Sequence, residues 1–188
     1  ITQMRYKEDG NPAWDSDIGV NHYTEGNQEA PSVVSGTENL DQLQPWAVLW
    51  TTYTKTSNKG DIVGSVWDFT GDVIAEELTI SPDDAFQTDA QNSRAMMLDN
   101  GDILFVWDGF SLSAESGHKD DIYGRLWNPI DPFGDFSEQQ RLNAQIGGYQ
   151  AKPFLAPMGD DSAVIVWEGG ESQDGDGYGI FGRSYPLP

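Results

Sequence analysis

The chain has 188 residues, with 31 Asp and Glu against 10 Lys and Arg, for a formal net charge of −21. That sign repels phosphates and anionic headgroups, which argues against nucleic acid or an anionic membrane surface as partner. Without cysteine there is no disulfide framework, thiolate metal site or cysteine nucleophile, and the longest apolar run, residues 163–167, is far short of a membrane span, so no membrane insertion is expected.

Taken in chain order, the predicted elements repeat. Ile1-Thr2-Gln3-Met4-Arg5-Tyr6 opens the chain, and the same block returns as Ile62-Val63-Gly64-Ser65-Val66-Trp67, Ile122-Tyr123-Gly124-Arg125-Leu126-Trp127 and Ile180-Phe181-Gly182-Arg183-Ser184-Tyr185. A second block follows it and ends in an aliphatic residue and Asn or Ser: residues 17–21, 77–81 and 140–143. A Gln then marks the approach to a short apolar stretch, Gln28 before 32–34, Gln91 before 95–98 and Gln150 before 154–156. Last comes a β-branched and aromatic run ending in Trp50, Trp107 or Trp167. These runs are rich in strand formers and bounded by Gly, Asp and Asn, as strands are. Turn residues such as Asp99-Asn100-Gly101 and Thr70-Gly71-Asp72 join them.

The unit is therefore four strands over about 60 residues. In the order apolar stretch, Trp strand, Ile-x-Gly strand and aliphatic-Asn/Ser strand, they are lettered A to D. The sequence predicts a single all-β repeat domain over 1–188. It divides into strands C and D at 1–27, repeats at 28–90 and 91–149, and a partial repeat at 150–188. Four short strands per repeat predict β-propeller-like blades, with a β-trefoil-like threefold barrel as the alternative. Monomeric propellers hold about 4 to 8 blades. Three would leave sheet edges uncovered, so a homo-oligomer, a dimer first, or a longer array is expected. The frame starts and stops at strand C, which suits either. Val48 with Trp50, Phe105 with Trp107 and Ile165 with Trp167 share faces by the two-residue period and are expected to anchor the core. Gly64, Gly124 and Gly182 stand mid-strand, where glycine signals a close approach or a bulge.

The run Val166-Trp167-Glu168-Gly169-Gly170-Glu171-Ser172-Gln173-Asp174-Gly175-Asp176-Gly177-Tyr178-Gly179-Ile180-Phe181-Gly182-Arg183 resembles the consensus of Asp/Gly-rich tandem β-repeats in large secreted bacterial proteins of calcium-binding and adhesion type. The resemblance implies an extracellular module with a binding or adhesive role. The second repeat departs from it in its loop (Glu115-Ser116-Gly117-His118-Lys119-Asp120-Asp121) and the first departs further.

High acidity has two readings, solubility through self-repulsion or neutralisation by bound cations, with Ca²⁺ first among them because it takes hard oxygen ligands. Asp174 and Asp176, two carboxylates separated by a glycine, are the first candidate ligands, followed by Asp120 and Asp121. The plain alternative is a solvated Asp-Gly turn. Enzyme motifs are sparse: His22 and His118 lie in unlike parts of the repeat, and neither a Gly-x-Ser-x-Gly elbow nor His-Glu-x-x-His is present. Carboxylate pairs for glycoside cleavage have no separation readable from sequence. Tyr53, Phe110 and Tyr178 are candidate sugar-stacking aromatics. The leading expectation is a non-enzymatic extracellular module that binds glycans in a calcium-dependent, lectin-like way. A carrier of an apolar small molecule or pigment is the alternative, and a glycan-cleaving propeller enzyme the third reading.

Overall fold

Runs of β-branched and aromatic residues punctuated by Asp, Asn and Gly leave no helical periodicity, and the described chain contains only strands and turns. The structure, a computed structural model, describes residues 2–3, 9, 18–36, 45–53, 59–82, 87–111, 120–129, 135–145, 148–159, 162–170 and 175–186. Its strands are β1 (Thr2–Gln3), β2 (Ile18–Gly19), β3 (Asn27–Ser35), β4 (Trp46–Tyr53), β5 (Gly60–Trp67), β6 (Val73–Thr79) and β7 (Gln87–Met97). They continue as β8 (Ile103–Ser111), β9 (Asp120–Trp127), β10 (Gln140–Arg141), β11 (Gln150–Pro157), β12 (Ser162–Gly169) and β13 (Gly179–Pro186). Among the described residues no helix is long and apolar enough to cross a membrane.

The strands form antiparallel meanders: a first sheet β3-β4-β5-β6, a second β7-β8-β9-β10, a third β11-β12-β13, and a β1-β2 pair. No sheet closes into a barrel among the described residues. Strand A differs from its expected extent. It runs through the Gln marker as well as the apolar stretch, and β7 straddles the boundary drawn between residues 90 and 91. The reason is a bulge in each first strand, between Glu29 and Ser32, Gln91 and Arg94, and Ala151 and Phe154. Ala30, Asn92 and Lys152 open the three bulges with φ of 51°, 51° and 53°, and the extra residues break the alternation that reveals a strand. The bulges also show that Gln91 is one residue out of phase: Ala90 occupies the register of Gln28 and Gln150.

Central strands are buried on both faces, which is why they read as near-continuous apolar runs. On β4, Val48 and Trp50 pack toward Val20, while Ala47 and Leu49 pack toward Phe105 and Trp107 of β8. On β8, Leu104 and Val106 pack the other way, toward Ile165 and Trp167 of β12. Each Trp therefore faces the preceding unit, and its sheet's opposite face is covered by the unit that follows. The first strands also stand side by side, with β7 against both β3 and β11.

The repeated polar residues join these layers. Ser81 Oγ and Asn143 Oδ1 accept the backbone N–H of Ile62 and Ile122 at 2.9 and 2.8 Å. This explains the aliphatic-Asn/Ser ending of strand D: the aliphatic residue covers strand C and the next side chain satisfies its buried amide. The mid-strand glycine completes the fit, since a Cβ on Gly124 would lie 2.9 Å from Leu142 Cδ1. Arg125 and Arg183, one residue beyond that glycine, donate to the Ile80 and Leu142 carbonyls of the preceding sheet at 3.1 and 2.8 Å.

Candidate functional site

Three residues after Trp50, Trp107 and Trp167 the chain reaches Tyr53, Phe110 and Gly170. Tyr53 is paired with Gly60 and Phe110 with Asp120. In the third sheet the last pair is Gly169 with Gly179, so Gly170 stands across from Tyr178. A Cβ on Gly170 would lie 2.7 Å from Tyr178 Cε1, so only glycine lets the ring lie there. All three candidate aromatics thus occupy one register, with the third transferred to the neighbouring strand. Tyr178 is 75% exposed, Tyr53 and Phe110 are half-buried, and Tyr149 meets Tyr178 edge-on at 6.4 Å.

The spaces between these rings hold acids. Asp108, directly after Trp107, is buried between the second and third sheets. Its Oδ1 accepts the Lys152 N–H at 2.9 Å, and its Oδ2 accepts Asn92 Nδ2 at 3.2 Å. The bulges aim both donors. Burial pushes the Asp108 carboxyl up to about 7, and Asp120 nearby adds to this, while the two donors act in the opposite direction. Asp89 accepts the Gly60 N–H at 2.9 Å, linking the first and second sheets. Glu168, at the register of Asp108, pairs with Lys152 Nζ at 3.0 Å. The Tyr53 phenol is raised by burial first, then by the charges of Asp89, Glu29 and Asp108. Tyr149 is raised by burial, then by Asp108 and Asp120. Tyr53, Asp89, Asp108, Asp120, Tyr149 and Tyr178 therefore belong to one end of the sheets.

The candidate metal ligands are not gathered in this way. Asp120 faces Asp108 and Tyr149, whereas its neighbour Asp121 turns to the opposite face. There Asp121 is 1% exposed, and its Oδ1 accepts Asn143 Nδ2 at 2.7 Å. Its Oδ2 has no hydrogen-bond partner. Burial raises its carboxyl, opposed by Asn143 and Arg141. Asp176 lies in the exposed turn between Gly175 and Gly177, and Asp174 lies outside the described residues. Among the described residues no group of three or more His, Cys, Asp or Glu side chains could hold a metal ion.

The sequence reading missed Asp108, Asn92, Lys152 and Tyr149. One signal was available: an acid directly after Trp in two of the three repeats, Trp107-Asp108 and Trp167-Glu168. The bulges that bring Asn92 and Lys152 to Asp108 have no such mark.

No protein-family model matches the chain, and no curated protein does. Among solved structures it is similar to an endo-arabinase from Bacteroides thetaiotaomicron, with a TM-score of 0.53 and 15% sequence identity. The match covers 90% of this chain and 62% of that one, so the chain spans less than two thirds of its structural neighbour. At this identity the likeness is one of fold.

Proposed function

We propose that the protein is a non-enzymatic glycan-binding module made of β-propeller-like blades, which holds sugar at the end carrying Tyr53, Phe110 and Tyr178. The observation that carries this reading is their common register in three adjacent sheets. It spaces apolar ring faces along a surface otherwise lined with acids, and carbohydrate is the ligand class that pairs an apolar ring face with many hydroxyls for carboxylates to accept. The blade-like arrangement is supported by first strands standing side by side and by each Trp face packing on the preceding unit. Binding is favoured over cleavage because the acids at this end have structural tasks. Both oxygens of Asp108 are engaged and buried, and Glu168 is tied to Lys152.

The test is titration calorimetry with a polysaccharide panel that includes arabinan, chosen because the structural neighbour is named an endo-arabinase. Saturable binding that Tyr178→Ala weakens at least tenfold, with unchanged thermal stability, is the expected result. Absence of binding across the panel would sink the proposal. Release of reducing ends would replace it with the cleaving alternative.

A further inference from the structure

The third sheet is unfinished on the side where the other two are covered. Phe154, Val166 and Gly182 lie in one cross-strand row, with Ile180 on the same face. Phe154 is 54% exposed, Val166 37% and Ile180 76%. The residues in the matching places of the first and second sheets, Leu49 with Ile62 and Val106 with Ile122, are all 0% exposed, because the next sheet covers them. Among the described residues β13 pairs with β12 alone, whereas β5 and β9 each have a fourth strand alongside. At the other end of the array the deficit is the reverse. The β1-β2 pair supplies strands C and D ahead of the first sheet, with Val20 buried on Val48 and Trp50. Val33, on the same face of the first sheet by its pairing with Val48, is 71% exposed where strands A and B of that unit would lie.

We propose that these two deficits fill each other between two copies of this chain. The third sheet of one copy takes β2 of the other as its fourth strand, and the first sheet of that second copy covers the Phe154–Val166–Ile180 face. Strand β2 has the right chemistry. Val20-Asn21 matches Ile80-Ser81 and Leu142-Asn143, and Asn21 already holds the local geometry of Asn143. Asn21 Nδ2 donates to the Tyr23 carbonyl at 2.9 Å, two residues on, as Asn143 Nδ2 donates to the Gln145 carbonyl at 2.7 Å. Its Oδ1 is then placed to accept the Ile180 N–H, as Asn143 Oδ1 accepts that of Ile122.

Strand β13 is also a better mate for β2 than β1 is. It offers Gly182 where Gly64 and Gly124 let the Ile80 and Leu142 side chains settle, whereas β1 has Gln3 at that register. It also offers eight paired residues where β1 offers two. Two chains of three sheets each then make six blades, within the roughly 4 to 8 of closed rings. The contact is head-to-tail and used twice, which leaves no raw sheet edge.

The experiment is sedimentation of the full chain at physiological salt, where repulsion between two chains of charge −21 is screened. A two-chain mass is expected, falling to one chain in Ile180→Arg. That substitution is at a side chain already exposed within a single chain, so the variant should keep the far-UV spectrum and thermal midpoint of a folded monomer. Since the chain has no cysteine, mixing Asn21→Cys chains with Ile180→Cys chains should give a disulfide-linked pair that neither forms alone. A monomer at all concentrations overturns the proposal, as does a dimer that survives Ile180→Arg. A monomer that instead binds the free peptide of residues 137–145 overturns it too, by assigning the edge to a separate strand.

Discussion

Trp167 Nε1 donates to Gln150 Oε1 at 3.0 Å, and both residues are buried. At the same register of the second sheet Ala90 replaces the glutamine, and Trp107 Nε1 has no partner. The third sheet thus satisfies an indole that the second leaves without a hydrogen bond. Gln150→Ala should reproduce the second sheet's condition in the third and cost about 1–3 kcal/mol, the penalty of orphaning a buried donor. Urea denaturation measures it. A loss under about 0.5 kcal/mol, the range of an ordinary surface change, would mean that water or another acceptor takes over.

The two arginine links between sheets are unequal. Arg125 donates Nε to the Ser137 carbonyl at 2.8 Å and Nη1 to Ile80 at 3.1 Å, with its guanidinium 4.7 Å from the Phe136 ring centroid. Arg183 has the Leu142 carbonyl and an exposed position. Charge-assisted hydrogen bonds contribute about 1.5–3 kcal/mol each when sheltered, so Arg125→Met should destabilise by about 2–3 kcal/mol and Arg183→Met by about 1. Lysine should not rescue position 125, because a point charge cannot serve two carbonyls and a ring face together. Equal losses at both positions would contradict this account.

The end of strand D gives a paired comparison. Asn143 satisfies the Ile122 N–H, Asp121 Oδ1 and the Gln145 carbonyl together. Ser81 provides the corresponding bond to Ile62. Asn143→Ala would orphan a buried amide and leave the Asp121 carboxyl without its neutral donor, so a loss of about 3 kcal/mol is expected, against about 1 for Ser81→Ala. The Asn143 variant should also recover part of that loss in acid, where Asp121 is protonated. Chemical denaturation at two pH values tests both statements.

How far the sequence carried the reading follows from which residues repeat. The blocks at Ile62, Ile122 and Ile180 are visible because each position does the same physical task in every sheet: glycine under an aliphatic side chain, arginine toward the preceding sheet, aromatic at the strand end. The aromatics Tyr53 and Phe110 were found for the same reason, and Tyr178 was found without its register being apparent. The bulges were illegible because Ala30, Asn92 and Lys152 share a backbone conformation and no side-chain chemistry. Asp108 was hidden likewise. Its role depends on a bulge in another sheet, and Thr51 holds the equivalent position in the first. The Asp pairs attracted notice through composition, and alternation along β9 then directs Asp120 and Asp121 to opposite faces.

Asp108 makes stability depend on pH in a direction opposite to that of most surface carboxylates. Its folded pKa, about 7, lies above the roughly 3.9 of an unfolded aspartate, so between these values the folded state holds a proton that the unfolded state has released. Its contribution is therefore fully present below about pH 4. It is lost as pH rises toward 7, at up to about 1.4 kcal/mol per pH unit, and is flat beyond. Over the whole window the loss is on the order of 4 kcal/mol. Asp108→Asn keeps an acceptor for the Lys152 N–H and cannot ionise. The difference in unfolding free energy between variant and parent should accordingly be small at pH 4, grow in favour of the variant through pH 5 and 6, and level off above pH 7. Asp121, raised in the same direction, and Asp68, lowered by its bond from Thr70 and the turn amides, are common to both proteins and cancel in that difference. A difference that stays constant across this range would show that Asp108 is ionised in the folded protein throughout, held so by Lys152 and Asn92 against its burial.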